Sequence, residues 1–154
     1  MSLDVYLELR GHIQQVPDPE PRIFMREDGQ TKQISRAEWD ARNPGREPVT
    51  VPAAVYEHDT TVYRANITHN LNVMADAAGL YIFLWRPDEH HIQTAQQLIA
   101  PLREGLARLQ ATPGLYKIFN PDNGWGTYEG LVSFVREYLA ACEHYPAATV
   151  RVSR

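Results

Sequence analysis

Cysteine is nearly absent. Cys142 is the one cysteine among 154 residues, so no disulfide can form within the chain and nothing points to an oxidising compartment. Long apolar runs are absent too; none approaches the ~20 residues that span a bilayer. Cationic excess is missing: 15 Lys and Arg stand against 19 Asp and Glu, a formal net charge of -4. That balance argues against sequence-independent nucleic-acid binding, which needs a basic face, and it is too weak for a DNA mimic. There is no phosphate loop, no Gly-x-Ser-x-Gly elbow and no metal-ligand spacing. Internal repeats and low-complexity tracts are also lacking. The first residues, Met1 to Tyr6, carry neither the basic nor the apolar region of a secretory signal. The expected address is therefore a cytoplasm, with no membrane, nucleic acid, metal or cofactor.

Hydrophobic residues make up 44% of the chain, enough for one packed core. Leu3, Val5, Leu7 and Leu9 alternate with polar neighbours and predict a strand with one buried face. Pro17, Pro19 and Pro21 make 15–21 an extended connector. Residues 22–26 and 32–34 read as a hairpin turning at Asp28-Gly29. Ser35 and Glu38 match a capping box at the start of a short helix, which Asn43-Pro44-Gly45 ends. Residues 49–56 and 61–63 read as strands around a polar turn at 57–59.

From Asn66 the spacing is helical: Ile67, Leu71, Met74, Ala75 and Ala78 form a stripe, and Gly79 suits the end of a helix. Residues 80–85 read as a short apolar turn or helix broken at Arg86-Pro87. A long stripe runs through Ala95, Leu98, Leu102, Leu106 and Leu109, with Pro101 either kinking one helix or opening a second. A last helix begins after Thr127 and carries Tyr128, Leu131, Val135, Tyr138 and Cys142 on one face. Val150 and Val152 alternate in a tail strand expected to join the sheet of the N-terminal strand, tying down both ends. Strands first, helices next and one strand last define an α+β fold. The expectation is a single domain, 1–154.

Three polar clusters are candidates for function. On a helix turning roughly 100° per residue, Asn66, His69 and Asn70 project from one side, flanking the apolar stripe. Two amides and a neutral imidazole can read a nucleobase or sugar without charge, or else tie down a neighbouring loop. The second cluster is the loop 120–129. Gly124 and Gly126 flank Trp125 just before a helix, so Asn123, Trp125 and Tyr128 could form a stacking platform, or Trp125 could plug into the core. In the third, Arg86 can act as an anion clamp. His90 and His91 beside Asp88 and Glu89 are not spaced as metal ligands, because neighbours on a helix do not face each other. Cys142, on an apolar stripe, is expected in the core.

The stretches Met1-Ser2-Leu3-Asp4-Val5-Tyr6-Leu7, Ala65 to Leu71, Leu84 to Pro87, Phe119 to Glu129, Tyr138 to Cys142 and Val150 to Arg154 resemble a family of small proteins encoded by bacteriophages and prophages. The resemblance covers the first seven residues and roughly 63–154. It makes 10–60 an insertion that shorter members lack. It implies a phage setting in a bacterial host and brings no catalytic residues. The readings that follow are a non-catalytic protein that sequesters a small nucleotide-like ligand, a module that inhibits a host protein through 12–60 with Phe24 and Trp39, or a small nucleotide-processing enzyme using His69 as base. A homodimer is left open by the sequence.

Overall fold

The structure, a computed structural model, describes residues 1–13, 22–51 and 57–154. It is an α+β protein whose residues divide into two compact units, Met1–His12 with Asp59–Arg154, and Ile13–His58. The second unit nearly coincides with the segment 10–60.

The larger unit is built on a sheet of β1 (Ser2–Ile13), β5 (Glu57–Thr68) and β6 (Thr149–Ser153), in the order β5-β1-β6. The tail strand joins the sheet of β1 as expected; it pairs antiparallel, with Asp4 opposite Ser153 and Glu8 opposite Thr149. Leu3, Val5 and Leu7 are fully buried from this sheet. Against it lie α2 (Asn72–Ala77), α3 (Tyr81–Trp85), α4 (Ala95–Ala111), α5 (Pro113–Lys117) and α6 (Tyr128–His144). The stripes of α4 and α6 face each other and bury Leu98, Leu102, Leu109, Leu131, Val135 and Tyr138. Burying a Leu- or Phe-sized side chain stabilises by roughly 1.5–3 kcal/mol each, so this two-helix interface with β1 dominates the core energetics. Gly105 on α4 leaves the space that the Leu80 side chain fills.

The smaller unit holds β2 (Arg22–Glu27), β3 (Gln30–Ile34), α1 (Arg36–Arg42) and β4 (Thr50–Val51), with antiparallel sheet order β3-β2-β4. The hairpin turns where predicted: Asp28 and Gly29 both take positive φ, 52° and 75°, as a two-residue turn of this hand requires. The Ser35 hydroxyl accepts the Glu38 N–H at 3.1 Å, but the Glu38 carboxylate pairs with Arg42 instead of closing the capping box. Ile23 is its one fully buried hydrophobic side chain among the described residues, and α1 buries none.

Two readings are corrected. Residues 66–68 are the end of β5, not a helix. Ile67 faces the core by strand alternation; Thr68 accepts the Asn70 N–H, and a turn of 3₁₀ helix, His69–Leu71, leads into α2. The apparent helical stripe joined inward positions from a strand end and a helix. Residues 57–59 begin β5 instead of forming a turn. Of the two alternatives at Pro101, the structure has the single helix: α4 runs from Ala95 to Ala111 with Pro101 inside it, and no second helix opens there. The connector 15–21 and residues 52–56 of the strand read at 49–56 lie outside the described residues.

Candidate functional site

The corrected strand end sets the geometry. Because β5 stops at Thr68, His69 turns towards α3. Its Nδ1 accepts the Trp85 indole N–H at 2.8 Å. That bond assigns the proton to Nε2. Nε2 is buried and has no hydrogen-bond partner among the described residues. Trp85 is 2% exposed and stacks on Tyr81 with ring centroids 5.8 Å apart and 11° between planes. The Tyr81 hydroxyl accepts from Arg86 Nε at 3.4 Å, and Glu89 takes the other end of the guanidinium at 2.7 Å. Arg154 donates to the Trp85 carbonyl and grips both Asp88 oxygens at 3.0 Å. That bidentate contact holds the Asp88 carboxyl below the usual carboxylate range. His69 and Arg86 thus belong to one web, His69–Trp85–Tyr81–Arg86, whose polar groups mostly serve one another.

The loop before α6 is tied to the same turn. Asn70 Nδ2 donates to the Trp125 carbonyl at 3.4 Å, and Asn123 Oδ1 accepts the Trp125 N–H at 2.9 Å. Gly126, at φ 107°, lies so close to Leu71 and Thr68 that a Cβ there would come within 2.8 Å of both side chains. The backbone is therefore pinned on both sides of Trp125 while the indole stays 70% exposed. Trp125 does not plug into the core. Nearby in the chain, Leu115 and Ile118 are also exposed, at 63% and 75%.

Tyr128 is placed differently from the stacking role expected of it. It is 7% exposed, and its hydroxyl donates to the Leu109 carbonyl at 2.7 Å, so it is a core residue. The membership of Tyr128 in the apolar stripe of α6 already carried that signal. Asn66 is exposed on β5, and no hydrogen bond joins its side chain to the other candidates among the described residues. The structure therefore brings Asn70, Asn123 and Trp125 together, joins His69 to Arg86 through two aromatic rings, and leaves Asn66 and Tyr128 outside both groups. The sequence reading missed Trp85 and Arg154. Arg154 is 66 and 69 residues from its partners, and no local pattern announces such a contact.

Of the nucleophile candidates, Cys142 is buried and its thiol is pushed up to about 12 by desolvation. A thiol so protonated is not reactive near neutrality. In the smaller unit Trp39 is half-buried and its N–H is spent on the Arg46 carbonyl at 2.8 Å, while Phe24 is exposed on β2. Among the described residues no group of three His, Cys, Asp or Glu is placed to hold a metal ion, and no helix is long and apolar enough to cross a membrane. Comparison with known proteins finds no matching family model, no matching curated protein and no matching solved structure.

Proposed function

We propose that this chain is a non-catalytic binding protein that docks on a protein partner through the Trp125 loop. The carrying observation is an indole held 70% exposed on a backbone pinned by Asn70, Asn123 and the close packing of Gly126. An exposed apolar side chain that needs no rearrangement loses little entropy on binding, and rigid tryptophans are typical anchors of protein interfaces. Leu115 and Ile118 add apolar surface in the preceding segment. The resemblance to phage-encoded proteins makes a host protein the natural partner. The binding reading also draws on His69: a general base needs a free lone pair, and the Nδ1 lone pair is occupied by Trp85.

The test compares the wild-type chain with Trp125→Ala in host extract and then with the recovered partner in purified form. A partner that binds the wild type stoichiometrically and is lost by Trp125→Ala, with unchanged melting temperature, supports the reading. Equal binding by both chains overturns it.

Capture of a small nucleotide-like ligand stacked on Trp125 is the second reading, favoured by the hydrogen bond between Asn70 and the Trp125 carbonyl. A thermal-shift series with nucleotides decides it. A rise of several degrees that Trp125→Ala removes supports it, and a flat series rejects it.

A further inference from the structure

A different face of the larger unit carries a groove of about 510 Å³. Three segments build it: the end of β1, the turn 87–92 after α3, and β6. The loop before α4 is stitched along the outer edge of β6. Gln93 accepts the Val150 N–H at 2.9 Å, Thr94 bridges Thr149, and Ala148 accepts the Ala95 N–H at 2.9 Å. His91, at φ 58°, reverses the chain into this loop. The walls are thus held by backbone bonds from sheet and turn, and the groove does not depend on side-chain placement alone.

In a chain of net charge -4, Arg10 and Arg151 carry the formal positive charge of the lining and Asp88 is its one carboxylate among the described residues. Asp88 is already taken on both oxygens by Arg154, so it adds little free negative charge. Arg151 is held in place, 3.8 Å over the Tyr6 ring, and is ion-paired with Glu8 at 2.9 Å, which offsets part of its charge as Arg154 offsets that of Asp88. Arg10 follows Glu8 by two residues on β1, and no carboxylate pairs with it among the described residues. Thr94, Thr149, Pro87, Ile92, Val150 and Val152 also belong to the lining, with Ile92, Val150 and Val152 packed against the core behind it. The start of α4 is closed by a capping box of Thr94 and Gln97.

We propose that this groove binds a small phosphate-bearing molecule, its phosphate held by Arg10 and Arg151 and its body along the groove. Guanidinium groups grip phosphate oxygens in a fixed fork, and a groove of this size suits a small ligand. The site is separate from the Trp125 loop and does not rest on the function proposed there.

The experiment is a titration of the isotope-labelled chain, followed by amide nuclear magnetic resonance. The probes are inorganic phosphate, adenosine monophosphate and adenosine. Phosphate and the monophosphate are expected to move the amide signals of His91, Gln93, Thr94, Thr149 and Arg151 to saturation. Adenosine is expected to leave them in place. Arg10→Gln should weaken phosphate binding by about tenfold or more, while Trp125→Ala leaves it unchanged. Tighter binding of the monophosphate than of phosphate assigns a phosphate ester as ligand. Equal binding supports the groove with free phosphate as its occupant. Arg151→Gln is a second variant, with the folded spectrum as its control, since Arg151 also anchors β6. The absence of saturable shifts with either anion, or undiminished affinity in a folded Arg10→Gln chain, overturns the proposal.

Discussion

Trp85 and Trp125 are the same side chain in opposite settings, and the turn at His69 and Asn70 touches both. Trp85 is 2% exposed, stacked on Tyr81 and hydrogen-bonded to His69. Trp125 is 70% exposed, and the groups around it grip its backbone and leave the ring alone. A buried indole contributes by filling space and by finding a partner for its N–H. An exposed indole adds almost nothing to the stability of the isolated chain. Holding its backbone still matters only when something lands on the ring. The difference separates two uses of polar residues that look alike in sequence: His69 completes the interior, and Asn70 positions a surface.

The comparison breaks most sharply at Trp85. Trp85→Ala should destabilise the chain by about 3–5 kcal/mol, because it opens a cavity and strands His69 Nδ1. Chemical denaturation measures this, and labelling of the buried Cys142 thiol reports the same opening. A loss below about 1 kcal/mol would show that the web around Trp85 is not structural. Gly126→Ala probes the link between the regions. A Cβ at that position overlaps Leu71 and Thr68 at a positive φ, so a loss of about 1–3 kcal/mol is expected, together with weaker partner binding. Unchanged stability there would mean that the loop is not docked.

Asp88 sharpens the comparison through pH. Arg154 depresses its carboxyl in the folded state. The group therefore contributes stability that is present above the ordinary aspartate range, about pH 4, and is lost as pH falls through the depressed value. Acid titration of the wild type against Asp88→Asn should show a shallower acid limb in the variant. The effect is small because the pair is largely solvated. The smallest effect is at Trp125: Trp125→Ala should change folding stability by no more than about 0.5 kcal/mol while removing partner binding. A large stability loss at Trp125 would erase the contrast.

Much of the fold was legible because its signals are local. The alternation in Leu3 to Leu9 and in Val150 to Val152, the Asp28-Gly29 turn and the stripe of α6 each lie within one element. The stretch from Asn66 failed for the same reason. Ile67 and Leu71 are spaced as on a helix, yet they sit on either side of a strand end, and pairing in the sheet overrode the local pattern. The site was half legible. Its glycines and amides mark a tight loop, but whether Trp125 points in or out depends on how Gly126 seats against Thr68 and Leu71, more than fifty residues away in the chain.

By itself the sequence determined the α+β class, the return of the tail strand to the sheet of β1, the core position of Cys142 and the absence of a phosphate loop or metal-ligand spacing. These follow from periodicity and composition, which act over a few residues. Only the tertiary structure decided that His69 accepts from Trp85, that Arg154 closes on Asp88, that Trp125 faces water and that Arg10, His91 and Arg151 line one groove. Each of these joins residues far apart in the chain. A hydrogen bond or an ion pair acts over a few ångströms, and packing of the whole chain is what brings such partners within that reach.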